Sequence, residues 1–225
     1  MEKSLSAMFD AFPALLAGAL VTIQLTAAAV AFGSVGGIFL GVARLSKVAP
    51  VRWLAKAYIE FFRGTPLLVQ LFIIYFGIPS LLQSIGLAGF SFGQWGAAVL
   101  GLSLNSAAYL AEIVRGGIQS VENGQREASE SLGLDSNQTL FYVIFPQALR
   151  RMIPPLGNEF VVLLKDTSLV AFIGYQELLR QGQLIIARNF LPFQIYFVVA
   201  LIYLAMTLLA SQVFSLLERK MDPAR

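Results

Sequence analysis

The chain has 225 residues, 57% of them hydrophobic and 13% charged, with a formal net charge of +3 and a mean hydropathy of +0.72. A soluble domain carries roughly 25% charged residues, so this composition cannot cover a water-facing surface and points to the bilayer as solvent. Histidine and cysteine are absent, which excludes imidazole acid–base chemistry, thiol nucleophiles, disulfides and most transition-metal sites.

The N-terminal stretch MEKSLSAMFDAF mixes Glu2 and Asp10 with Lys3. A secretory signal has a basic start and a short apolar core. The apolar run that follows is too long for one and reads as a retained membrane helix. A span needs roughly 20 predominantly apolar residues. Five segments qualify, at about 13–43, 65–82, 94–117, 153–175 and 190–217. All are expected to be helices, because backbone in lipid must satisfy its own hydrogen bonds. Gly33, Gly36, Gly37, Pro154 and Pro155 fall inside them, and such residues are tolerated there and permit close helix contact. The alternating polarity of an outer-membrane barrel is missing, and no internal repeat is apparent. The expected fold is an all-α integral membrane protein, a single membrane domain over 1–225 with five transmembrane helices.

The connections set the orientation. Arg44, Lys47, Arg52, Lys56 and Arg63 follow the first span, Arg115, Arg126, Arg150 and Arg151 flank the middle insertion, and Arg219, Lys220 and Arg225 end the chain. These alternate connections hold twelve basic residues, against Lys3, Arg180 and Arg188 on the other side. The basic side is cytoplasmic, so the N-terminus is expected outside and the C-terminus inside. Of the outer connections, 83–92 is uncharged, and Phe90, Phe92 and Trp95 suit the membrane interface. The stretch 176–189 reads as a short amphipathic surface helix.

The segment 123–151 is the most polar part of the interior. Asn123 is a good N-cap, Gly133 a natural helix end, and Asp135 with Gln138 a capping box for a second helix. Leu140, Phe141, Ile144, Phe145 and Ala148 give that helix an apolar face, and Pro146 is expected to kink or end it. The pattern predicts a cytoplasmic helix–elbow–helix. A solvated loop resting on the membrane and a docking element for a cytoplasmic partner both fit it.

Ionisable residues inside spans are costly and are functional candidates by default. Lys165 falls near mid-membrane in the fourth segment, with Asp166, Thr167 and Ser168 following. Lys165 either pairs with an acid on another helix or lines a pathway and meets a substrate carboxylate. Thr167 and Ser168 either pack or contact substrate. Glu112 and Arg115 form an i,i+3 pair, or Glu112 faces a pathway and prefers a cationic amino group. Asn105 and Tyr109 share its side of the helix. Arg63, Gly64, Thr65 and Pro66 open the second span, with Thr65 suited to capping, Pro66 to a first turn and Arg63 to snorkelling.

The order Glu127, Ala128, Ser129, Gly133, Val143, Phe145, Pro146 resembles the EAA motif of ABC importer membrane subunits, with Ser129 for Ala, Val143 for Ile and Phe145 for Leu. The stretches FFRGTPLLVQLFIIYFG (61–77), AAYLAEIVRGGIQSVENGQREA (107–128), LLKDTSLVAFIG (163–174) and LIYLAMTLLASQVFSLLERK (201–220) are similar to the polar amino-acid uptake permeases. The resemblance covers nearly the whole chain. It implies a transport subunit that is not itself an enzyme, in a prokaryotic plasma membrane, the inner one where there are two. It implies two ATP-binding-cassette ATPase subunits, a second permease subunit, identical or paralogous, and an extracytoplasmic solute-binding protein, with amino acid as substrate and no nucleic acid. Glu127, Ala128, Ser129, Gly133 and Pro146 would couple to the ATPase, and Arg63, Thr65 and Pro66 would serve in gating or subunit contact. No G-x-x-x-x-G-K-[ST] phosphate loop occurs in the sequence, so ATP and Mg are expected on the partner and no cofactor or metal on this chain. An ion-coupled secondary transporter would need more spans and a repeat. A mere membrane scaffold would not need polar residues at mid-membrane.

Overall fold

The computed structural model describes residues 2–87 and 89–221, with side chains from residue 7 onward. The side chains of Glu2 and Lys3, the loop residue Ala88 and the terminal Arg225 therefore lie outside the described residues. Every regular element among those described is helical. In chain order they are α1 (Glu2–Arg44), α2 (Ala49–Gly64), α3 (Leu67–Phe72), α4 (Ile78–Ser84), α5 (Gly93–Gln119), α6 (Asn123–Ser131), α7 (Ser136–Gln138), α8 (Phe145–Asp166), α9 (Leu178–Asn189) and α10 (Pro192–Met221). Two π-helical stretches, Ile73–Gly77 and Thr139–Ile144, join α3 to α4 and α7 to α8, and a 3-10 stretch, Thr167–Ile173, extends α8.

Among the described residues four helices are long and apolar enough to cross a membrane: Ala7–Arg44, Leu67–Ser84, Gly93–Gln119 and Pro192–Met221. They match four of the five expected segments, with α1 starting well before Pro13. The fifth differs. Helix begins at Ser136 and runs through the π stretch into α8, so no loop precedes residue 153. Glu159, Lys165 and Asp166 lower its hydropathy.

α5 is the centre of the bundle. It carries Ala97, Ala98, Leu102, Ala107, Ala108 and Ala111 in buried positions. α1 packs along it in the same direction through Gly33, Gly37 and Gly41, a glycine at every fourth position. A Cβ on Gly37 would lie 2.5 Å from Leu110 Cβ, one on Gly33 2.9 Å from Ser106 Oγ, and one on Gly41 2.8 Å from Val114 Cβ. The absent side chains let the helices approach to backbone contact, which is how helices associate where lipid removes the hydrophobic drive between them. α8 runs antiparallel to α5. Its Met152 packs on Gly117, and Ile173 at the end of its 3-10 extension accepts a hydrogen bond from Gln94 Nε2 at 3.1 Å. Residues 152–173 thus lie beside about 35 Å of α5, at 1.5 Å per residue. α10 closes the bundle on α8, where Phe160 and Phe214 meet at 5.4 Å.

Both π stretches end just before a proline, Pro79 or Pro146, in the first turn of the next helix. Proline has no N–H to donate and its ring crowds the carbonyl four residues back; the wider π turn makes room without ending the helix. Pro146 was expected to kink or end its helix. It does not end it: the stretches of 3, 6 and 22 residues abut from Ser136 to Asp166, a continuous helical run of about 45 Å.

Gly37→Val should overpack the α1–α5 contact and cost about 1–3 kcal/mol, read as a lower thermal midpoint of the purified protein. Gly116→Ala, with nothing within 4 Å of the new Cβ, should leave that midpoint unchanged.

Candidate functional site

The polar insertion forms the expected elbow. Leu132 ends α6, Gly133 takes φ +85°, and the N–H groups of Gly133 and Leu134 donate to the carbonyls of Glu130 and Ser129 at 3.0 and 3.2 Å. This is the paired closing pattern that a left-handed glycine permits. The Asp135 carboxylate accepts from the N–H groups of Asn137 and Gln138 at 2.8 and 2.9 Å, and Gln138 Oε1 accepts from Asp135 N–H at 2.9 Å. Asn123, expected as a cap, is instead the first residue of α6, and the preceding Glu122 makes no side-chain cap.

The elbow is pinned to the bundle. Gln147 Nε2 donates to Gln125 Oε1 at 3.1 Å, and Arg151 donates to the Ser120 carbonyl. Val114, Ile118 and Val121 pack with Ile144, Ala148 and Met152. Glu127, Ala128, Gly133 and Pro146 are exposed. Ser129 is not: it is buried, donates to the Arg126 carbonyl at 2.8 Å and meets Thr139 Oγ1 at 3.2 Å. Its hydroxyl ties the elbow together from inside, and of the five motif residues it alone is buried. Beside Glu127, Leu132 is 84% exposed. A leucine standing free on so polar an element is a feature that reading the sequence overlooked. Its position just before the elbow glycine was the available signal.

The second polar region lies where α2 breaks before α3. α2 was expected to be a loop; the apolar spacing of Ala55, Ile59 and Phe62, with Pro50 near its start, is the signal that was passed over. At its end Thr65 does not cap α3 but donates from Oγ1 to the Phe61 carbonyl at 2.8 Å, and Pro66 precedes the first turn of α3 rather than sitting in it. The break leaves the Phe62 and Thr65 carbonyls without helical partners. Gln70 supplies them: its Nε2 donates to the Phe62 and Thr65 carbonyls at 2.8 and 3.0 Å and to Thr65 Oγ1 at 2.9 Å. Asn105 Nδ2 of α5 donates to Gln70 Oε1 at 3.0 Å and to the Phe62 carbonyl at 3.3 Å. Both amides are buried. Tyr58 adds a hydrogen bond to the Leu104 carbonyl at 2.8 Å.

Two turns further along α5, Glu112 pairs with Arg115 at 2.7 Å, as one of its two readings had it. It also meets Arg63 across helices at 3.9 Å, and Arg63 lies over the Tyr109 ring at 5.3 Å. Arg63 is thus held by α5 rather than snorkelling to lipid. Asn105, Tyr109, Glu112, Arg63 and Thr65 are brought together. Lys165 is exposed on α8 and makes no ion pair among the described residues. Thr167 is buried and its Oγ1 donates to the Leu164 carbonyl at 2.7 Å, which is the packing reading, and Ser168 is half-buried. Glu159 lies within electrostatic reach of both Asp166 and Arg63, so the polar sides of α2, α5 and α8 look onto a common region. No group of three or more potential metal-ligating side chains occurs among the described residues.

An all-helical bundle with a buried amide network and a protruding polar elbow fits the membrane subunit of a multi-component transporter. Residues 33–223 match the model of the binding-protein-dependent transport system inner membrane component, and the chain belongs to that family. It is therefore a multi-pass permease subunit of a bacterial inner membrane and not the ATPase. It is 43% identical over 221 residues to the glutamine transport system permease protein GlnP of Escherichia coli strain K12, covering 98% of this chain and 99% of that one. It is 38% identical over 222 residues to the L-cystine transport system permease protein TcyL of Bacillus subtilis, covering 98% and 93%. Among solved structures, an amino acid ABC transporter crystallised with histidines matches with a TM-score of 0.87 at 41% identity, over 95% of this chain and 96% of that one. The MetNI methionine ABC transporter in an inward-facing form shares the fold, with a TM-score of 0.69 at 17% identity over 98% and 99%.

Gln70→Leu should strip donors from two stranded carbonyls and cost about 1–3 kcal/mol. Combining it with Asn105→Leu should cost less than the sum of the two single changes, because they share one network. Unfolding of the four purified forms of the cycle measures this, and strict additivity would refute the network.

Proposed function

We propose that this permease subunit serves an importer of polar amino acids, that its N-terminus is outside and its C-terminus cytoplasmic, and that 123–151 is the seat of the ATPase. The carrying observation is the unbroken helix from Ser136 to Asp166. It connects the exposed elbow directly with the one helix that brings Glu159, Lys165 and Asp166 into the bundle. The names of the relatives, which carry glutamine and L-cystine, support a polar amino acid as the substrate class. The twelve-to-three distribution of basic residues supports the orientation. It requires a fifth crossing, supplied by α8 with its 3-10 extension alongside α5.

Two ATPase subunits receive the elbows of two permease subunits, through Leu132 as apolar anchor and Glu127, Ala128, Gly133 and Pro146 around it. ATP-driven closure displaces both elbows, and each rod carries the displacement into the membrane. This biases the bundle between inward-open and outward-open states while the binding protein is docked outside. Lys165, exposed and unpaired, faces the pathway and meets the substrate carboxylate, with Ser168 beside it. The Arg63–Glu112–Arg115 group, with Tyr109 stacked beneath and the Gln70–Asn105 network above, forms the inner gate region where the halves meet.

Glu127→Lys and Leu132→Asp should each weaken ATPase association about tenfold or more, as expected for a misplaced charge at an interface, while membrane insertion is normal. Normal ATPase co-purification with normal uptake would sink the coupling assignment. Lys165→Ala should slow uptake about tenfold, the loss of one charge-assisted hydrogen bond, with assembly intact. Unchanged rate and affinity in proteoliposomes would remove Lys165 from the pathway.

A further inference from the structure

Glu177, between the 3-10 stretch and α9, has no exposed surface. No basic side chain pairs with it among the described residues. Its carboxylate accepts from the N–H groups of Leu179 and Arg180 at 2.9 and 2.7 Å and from the Tyr203 hydroxyl of α10 at 2.7 Å. The next N–H of that first turn, on Leu178, donates to Thr22 Oγ1 of α1 at 3.3 Å. The start of α9 is therefore tied to α1 and α10 at once. A buried carboxylate is stable without a cation only when such donors surround it.

The packing says the same. A Cβ on Gly18 of α1 would lie 2.8 Å from Leu178 Cα, and one on Gly182 of α9 would lie 2.9 Å from Val199 Cγ2 of α10. Each helix pair touches through a glycine. Leu178 shares a core with Ala11, Leu15, Ala19, Ile195 and Val198, separate from the core that holds Leu163, Val170 and Ile173 at the end of the α8 rod. Between the two cores runs a short joint. It begins in the 3-10 stretch, whose hydrogen bonds are poorer than those of an α-helix. It passes through Gly174 at φ +84°, where a side chain would be strained, and reaches Glu177 three residues later.

We propose that Glu177 is a positioning residue that clasps α9 to α1 and α10, so that movement of the α8 rod is taken up at Gly174 and α9 stays fixed as part of the outer rim. The carboxylate suits this task because its two oxygens take three donors from two elements, and a side chain of another kind would leave at least one of them buried and unmet. The inference rests on the proposed function, which makes α8 the moving rod.

The chain has no cysteine, so labels can be placed at will. Spin-label pairs at Asp10→Cys with Arg188→Cys, across the clasp, and at Phe172→Cys with Arg188→Cys, across the joint, use exposed positions on α1, α9 and the 3-10 stretch. Distances are read in the complete importer with its ATPase and binding protein, nucleotide-free and trapped with ATP, with single-label complexes correcting for distances between subunits. The clasp pair should stay within about 2 Å and the joint pair shift by about 4 Å or more. Glu177→Ala should let the clasp pair move with nucleotide and lower maximal uptake several-fold without changing the KM for loaded binding protein. Glu177→Gln, which keeps an acceptor oxygen, should restore part of both. A clasp pair that shifts as far as the joint pair overturns the proposal, as do two fixed pairs in a complex that takes up substrate with ATP. Wild-type distances in the Glu177→Ala complex overturn it as well. The two wild-type pairs give a result even if Glu177→Ala does not fold. Uptake by the unlabelled wild-type complex is measured alongside, and its failure counts against the functional reading alone.

Discussion

Backbone carbonyls released at a helix break and shut away from water must find their donors within the protein. The gap between α2 and α3 depends on this. Gln70 reaches back to the Phe62 and Thr65 carbonyls, and Asn105 reaches across from α5 to steady Gln70. The break is therefore locked in one geometry, and that geometry delivers Arg63 to Glu112 and Tyr109. Remove the amides and α2 has no fixed end, so the ionic group above α6 loses its third member. The same need is met differently elsewhere. A π turn precedes Pro79 and Pro146, and a buried carboxylate caps α9.

The structure separates stiff parts from joints. The α1–α5 pair is stiff because its glycines place two backbones in contact over three successive turns. From Ser136 to Asp166 the helix is continuous, because the π turn absorbs Pro146 without ending it, and Pro154 and Pro155 also lie within it. Left-handed glycines stand beyond each end of that helix, at Gly133 and Gly174. On the proposed function, a push at the elbow is carried along α8.

The sequence carried four of the five expected apolar spans, the elbow at Gly133, the capping box at Asp135 and the surface helix at 176–189. Each rests on short-range chemistry: run length, a residue free to take positive φ, a carboxylate three residues before a glutamine. The losses are equally physical. α2 was missed because five basic residues in 44–63 outweighed its apolar face, which was to be seen only by projecting it on a helix. Gln70 and Glu177 looked unremarkable because their partners lie 35 and 26 residues away at Asn105 and Tyr203. Long-range pairing is invisible to periodicity. The burial of Ser129 was likewise hidden, because its motif gives a position in the chain and not a direction for the side chain.

α8 shows why one segment escapes hydropathy altogether. A charge at mid-bilayer costs on the order of 3 kcal/mol by insertion scales and more on an isolated helix. With Glu159, Lys165 and Asp166 on one helix, that cost is not offset by the apolar residues between them. Yet residues 152–173 lie beside α5 from Gly117 to Gln94, and α5 is itself long and apolar enough to span. The two facts are compatible only if the charged side of α8 faces water or another polar surface rather than lipid. Glu159 and Asp166, two turns apart, share that side half-buried, and Lys165 stands exposed about 100° round from Asp166. On the proposed function, a helix too polar to cross alone, held beside an apolar neighbour, suits the wall of a hydrated passage.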